Sequence, residues 1–166
     1  MGGVTLAKTL VLEAIAQGKH VVTANKALLA EHGSEIFAAA QTQGVIVAYE
    51  GAVAVSIPII KALREGLAAN RIYEVVGIVN GTTNFILTHM QETGMGFDAA
   101  LRQATALGFA EADPSFDIEG VDAAHKTALL AAIAFGADVP FAQVHAQGIT
   151  RVEAWDMVCA QALGYR

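Results

Sequence analysis

The hydrophobic pattern switches between helical and strand periods along the chain. Leu6, Leu10, Val11, Ala14 and Ile15 recur at helical spacing, and Gly18 stands where a C-terminal cap belongs. The β-branched run from His20 to Thr23 then predicts a short strand. Asn25 is a good cap for a second helix, which carries Leu28, Leu29, Ile36 and Phe37 and ends before Gly44; Val45 to Tyr49 predicts a second strand. Strands alternating with helices of this length predict a parallel sheet with helices packed on it. Such sheets are buried on both faces, so two strands and two helices cannot close one, and residues 1–50 read as the last part of a larger domain.

From Glu50 the texture changes. Residues 57–67 predict a helix with Pro58 in its first turn, and residues 71–79 a strand. Asn80-Gly81-Thr82-Thr83-Asn84 leads into an amphipathic helix carrying Phe85, Ile86 and Leu87. A further helix is expected over 97–107, capped by Gly108, and another from near Ile118 through Ile133. The predicted fold class is α/β. A partial parallel sheet occupies residues 1–50; residues 51–166 form an α+β region whose helices cover a sheet expected to serve as a dimerisation surface.

Composition narrows the function. The 33 alanines and 16 glycines outweigh 11 aromatics in 166 residues, which suits closely packed helices, and 54% apolar content argues against disorder. A net charge of −6 without a Lys/Arg cluster leaves no footprint for nucleic acid. The single cysteine, Cys159, cannot form an internal disulfide. No run approaches the ~18 apolar residues of a membrane span, and the first residues lack signal-peptide character. The expectation is a soluble cytoplasmic protein.

Five of the sixteen acids, Glu111, Asp113, Asp117, Glu119 and Asp122, fall within twelve residues. A solvated acidic loop is one reading. The other follows from the next helix, where Asp122 and Lys126 stand four apart at the head of an apolar stripe through Leu129, Leu130 and Ile133. In a cleft, a lysine beside carboxylates can donate a proton to a developing alkoxide or take one from a hydroxyl. Gly81 to Asn84, at the start of a helix, is either an ordinary cap or a site for an anion such as a substrate carboxylate. Asn25-Lys26 follows a strand at the edge where doubly wound folds bind ligands. Gly94-Met95-Gly96-Phe97-Asp98-Ala99 has the spacing of a dinucleotide fingerprint, but it follows the polar end of a helix rather than a buried strand and is rejected. The five histidines show no metal-ligand spacing. Besides an enzyme, two other classes stand as alternatives: a non-catalytic dimerisation or small-molecule-binding module, and a Mg²⁺-dependent hydrolase built on Asp113, Asp117 and Asp122.

Five segments together carry a family resemblance. Val21 to Lys26, Tyr49 to Val53, Gly77 to Asn84, Gly108 to Pro114 and Asp117 to Lys126 occur in the order seen in homoserine dehydrogenases, which the chain resembles over nearly its whole length. The resemblance implies NAD(P)-dependent interconversion of L-homoserine and L-aspartate 4-semialdehyde, on the way to threonine, methionine and isoleucine. It also implies a homodimer. Residues 1–50 would be the C-terminal part of a Rossmann-type dinucleotide-binding domain, and 51–166 a catalytic and substrate-binding domain incomplete at its C-terminus. By the same resemblance Lys126 is the acid/base group and Asp122 positions it; Glu111 and Asp117 bind the substrate ammonium, while Gly81 and Thr82 lie near its carboxylate. Lys26 and Gly108 correspond to positions close to NADP or NAD. Glu50, with the carbonyls of Val53 and Val55, corresponds to a monovalent cation site, usually sodium. Family members also begin with a strand and a glycine-rich turn and continue beyond the last helix here. The chain is therefore expected to be an internal fragment that keeps the substrate half of the site and binds dinucleotide weakly or not at all.

Overall fold

The computed structural model describes residues 3–165. The order of elements begins α1 (Thr5–Ala16), β1 (Val21–Val22), α2 (Lys26–Gln43), β2 (Val47–Ala48), α3 (Glu50–Val53) and α4 (Ile59–Lys61), the last continued by a π-helical turn at Ala62–Gly66. It goes on with α5 (Gly81–Thr93), α6 (Phe97–Ala106), α7 (Ser115–Ile118), α8 (Val121–Phe135), a 3₁₀ turn at Phe141–Gln143 and α9 (Ala154–Ala162). Two compact units are present, Met1–Gly77 with Ala124–His145, and Ile78–Ala123 with Ala146–Arg166.

In the first unit α1 packs on α2, and Lys8 pairs with Glu35 across them at 2.7 Å. Asn25 caps α2 as its sequence position predicts, its side-chain oxygen accepting Leu28 N–H at 3.1 Å. Gly44 ends the helix at φ 64°, a left-handed conformation that a side chain would strain. β1 and β2 pair in parallel, Val21 opposite Val47 and Val22 opposite Ala48. The ladder is lengthened by His20, whose Nδ1 accepts Ile46 N–H at 3.0 Å. Leu28, Ile36 and Ile15 are fully buried in this unit, whereas Val22 is 87% exposed.

The second unit is a helical hairpin with its own core. α5 and α6 pack together, and Ile86, Met90, Ala100, Ala104, Ala110 and Ile118 form a buried cluster flanked by Phe85, Leu101 and Met157. The alanines let the helices approach while Ile86 and Met90 fill the space between them. Gly94 ends α5 in a left-handed turn and Gly96 caps α6, so the rejected fingerprint is a tight link between two helices.

Two expectations are corrected. Residues 71–79 form no strand: the described residues hold one sheet, of two strands, and this segment joins no ladder in it. A strand exists only where a neighbour pairs with its backbone, and here Tyr73, Val76 and Ile78 stay 80%, 83% and 78% exposed. The helix expected over 57–67 is a three-residue α segment running into a π turn. Its start is held by Glu50, whose two carboxylate oxygens accept Ile60 N–H at 2.8 Å and Lys61 N–H at 2.9 Å.

Candidate active site

The second unit gathers a polar cluster at the head of α5. Asn80, only 7% exposed, is the cap residue of that helix. Its side-chain oxygen accepts Thr83 N–H at 2.8 Å and Thr83 Oγ1–H at 2.9 Å. That fixes which end of the amide is oxygen, because both neighbours on that side are donors. The nitrogen end therefore faces the carboxylates: Nδ2 donates to Asp117 Oδ1 at 2.7 Å and to Asp122 Oδ2 at 2.9 Å. One NH₂ group thus holds two acids that would otherwise repel each other. Asp122 is buried at 3% exposure and Asp117 is half-buried on α7. Two carboxylates gathered this way make a region of negative potential suited to a cationic group.

The loop from α6 to α7 is tied to the same helix. Thr82, half-buried, donates from Oγ1 to the Phe109 carbonyl at 2.8 Å, and the Phe85 and Phe109 rings stack at 4.3 Å. Gly81 is the first, exposed residue of α5, where the N–H groups of the opening turn have no intrahelical acceptor. Gly108 follows α6 at φ 78°. Glu111 is exposed in the loop. Asp113 Oδ1 accepts from Ser115 Oγ at 2.6 Å and Ser115 N at 3.1 Å, and the hydroxyl first and the amide second hold its carboxyl below the usual value. Residues 147–149 pack against the end of α7. Ile149 N–H donates to the Ile118 carbonyl at 2.8 Å, and a Cβ at Gly148 would lie 2.8 Å from that carbonyl oxygen.

Lys126 lies on α8, half-buried and four residues after Asp122, the interval that sets two side chains on one helical face. In the first unit Lys26 opens α2 just past the C-terminal end of β1. Parallel sheets receive dinucleotides at that edge, so this position suits the expected cofactor.

Of the expected cation residues, Glu50 is engaged by backbone. Both Glu50 oxygens are engaged by the first N–H groups of α4, which supply the positive partner a cation would otherwise provide. Val53 is buried at the end of α3 and Val55 is 87% exposed. Among the described residues no group of three or more His, Cys, Asp or Glu side chains could hold a metal ion, so the Asp113, Asp117 and Asp122 set of the hydrolase reading is not assembled.

Sequence reasoning missed two residues. Asn80 was read only as part of the segment leading into the helix, neither as its cap nor as a donor to two acids; Gly148 carried no signal, because its constraint comes from a carbonyl thirty positions away.

Comparison with known proteins identifies the architecture. A family model described as homoserine dehydrogenase matches residues 58–166, and one described as homoserine dehydrogenase, NAD binding domain, matches residues 1–50. The chain is 60% identical over 166 residues to a homoserine dehydrogenase of Pseudomonas aeruginosa, covering all of this chain and 38% of that protein. It superposes on a crystal structure of a homoserine dehydrogenase from Thiobacillus denitrificans with a TM-score of 0.96 and 58% identity, over 100% of this chain and 38% of the other. A hyperthermophilic archaeal homoserine dehydrogenase solved in complex with NADPH matches with a TM-score of 0.80 and 33% identity, over 93% of this chain and 48% of that one. The chain thus spans between 38% and 48% of the length of these relatives. With a family model covering more than half of its residues and a relative 60% identical over its whole length, this chain belongs to the homoserine dehydrogenase family.

Proposed function

We propose that this chain carries the substrate-binding part of an NAD(P)-dependent oxidoreductase that interconverts L-homoserine and L-aspartate 4-semialdehyde. The observation that carries the reading is the pair of carboxylates, Asp117 and Asp122, gathered on one buried amide. An amino-acid substrate presents an ammonium to such a pair. Asp117, joined by Glu111, binds that ammonium, while the opening N–H groups of α5 at Gly81 and Thr82 face the substrate carboxylate. Lys126 gives or takes the hydroxyl proton, and Asp122, one turn earlier on the same helix, orients it. When bound, NADP or NAD supplies or accepts the hydride. Lys26 and Gly108 contact it, residues 1–50 belonging to the cofactor domain and 51–166 to the catalytic one. The reading places the protein in the cytoplasm as a homodimer, in the supply of threonine, methionine and isoleucine.

The test is a chimera in which these 166 residues replace the matching stretch of the Pseudomonas aeruginosa relative. Removing a general acid/base group costs about 10²- to 10⁴-fold, so Lys126→Ala should lower kcat by that amount, read from nicotinamide absorbance, with the circular dichroism spectrum unchanged. On the competing reading, a non-catalytic dimerisation or small-molecule-binding module, kcat would not respond to Lys126→Ala. That result would refute the proposed function.

A further inference from the structure

Asn80 is more than a helix cap. A cap needs one side-chain oxygen, and Asn80 supplies it to Thr83. Serine, threonine or aspartate would serve there about as well. What those residues lack is an NH₂ group. The two hydrogens on Nδ2 are directed to Asp117 Oδ1 and Asp122 Oδ2, carboxylates 37 and 42 residues further along the chain. Buried hydrogen bonds to charged groups are strong, and a buried carboxylate without its donor is costly. The oxygen end is locked by two donors, Thr83 N–H and Oγ1–H, so the amide cannot turn over to present a different pattern.

We propose that Asn80 is a positioning residue: its single amide group, bonded to Thr83 on one side and to Asp117 and Asp122 on the other, sets the separation and aim of the two carboxylates. This deepens the function proposed above and rests on it. Asp117 is thereby held where an ammonium can reach its remaining lone pairs, and the Asp122 carboxylate is prevented from swinging away from the head of α5. The chemistry asked of Asn80 is only donation; it exchanges no proton with substrate.

The decisive variant is Asn80→Asp, which keeps the cap oxygen, removes both donors and places a third acid against two. It is tested in the chimera alongside Lys126→Ala. Loss of charge-assisted hydrogen bonds should lower kcat/KM for L-homoserine by about tenfold to a hundredfold, with KM for homoserine rising and KM for the nicotinamide cofactor unchanged. If Asn80 only caps α5, Asn80→Asp will keep the parental kcat/KM, and the proposal is overturned. Should Lys126→Ala be silent instead, the function reading fails first, whatever Asn80→Asp does. A second measurement does not depend on Asn80→Asp folding. In the ¹⁵N-labelled parent chain the two Asn80 side-chain protons should resonate downfield and exchange slowly, and Asp117→Ala should move one of them strongly and the other little. Side-chain protons at solvent-exposed positions, unmoved by Asp117→Ala, would also overturn the proposal.

Discussion

Residues 20–50 and residues 78–123 each set an asparagine ahead of a helix, and the two asparagines do different things. Asn25 accepts Leu28 N–H and donates to the Gly3 carbonyl at 2.9 Å, so both of its partners are backbone groups close to the surface. Asn80 accepts from Thr83 and donates to two acids, under cover. The surroundings differ in the same sense. Around β1 and β2, Val22 and Ile46 remain 87% and 58% exposed, faces that a parallel sheet normally buries. Around α5 and α6, Ile86, Met90, Ala100 and Ala104 are fully buried. A helical hairpin bonds its own backbone and needs one partner for its apolar stripe, whereas a parallel pair needs neighbours at both edges and on both faces. The same residue type is thus an interchangeable cap in one setting and an organiser of charge in the other.

That contrast can be broken most forcefully at the hairpin core. Met90→Ala removes a fully buried side chain and should cost about 2–5 kcal/mol, measured by urea unfolding of the 166-residue chain; a loss under about 1 kcal/mol would mean that the hairpin core collapses around the gap or was never closed. Gly148→Ala should come next, at about 1–3 kcal/mol, because its Cβ meets backbone at Ile118 and not merely a flexible side chain. Amide exchange at Ile149 should quicken with it, since that N–H bonds the same carbonyl.

The comparison of the asparagines sharpens at smaller scale. Asn25→Ala should destabilise by about 1 kcal/mol and Asn25→Asp by clearly less, since the cap oxygen is kept and only an exposed bond to the Gly3 carbonyl is lost. Thermal unfolding of both variants beside the parent reads the difference, and an Asn25→Asp loss as large as that of Asn25→Ala would remove the distinction from Asn80. The smallest effect belongs to Asp113. Its carboxyl is held low by the Ser115 hydroxyl and amide, so its contribution is present above the ordinary carboxylate value and is lost as pH falls through the lowered one. The group is fully exposed and stability should barely register it. Carbon NMR should show its midpoint rise on Ser115→Ala.

Much of this was legible along the chain because it is local. The cap at Asn25, the left-handed stops at Gly44 and Gly108, the helix over 97–106 and the four-residue interval from Asp122 to Lys126 depend on neighbours within a turn or two. Asp117 and Asp122 could be marked as an acidic cluster, but the pattern could not say which donor would hold them. The family resemblance marked Glu50 as a cation ligand; that its oxygens would meet the N–H groups of Ile60 and Lys61 depended on how the chain turned between them.

Local periodicity and capping chemistry determined α1, α2, α5 and α6, the parallel strand pair and the family motifs, since each is decided by side chains within a few residues of one another. Tertiary structure alone decided that 71–79 would find no sheet partner, that Gly148 would have to admit the Ile118 carbonyl, and that one amide would be shared by two acids. These outcomes turn on groups brought together from distant positions, where a hydrogen bond or a steric limit acts over a few ångströms in space and leaves no periodic trace along the chain.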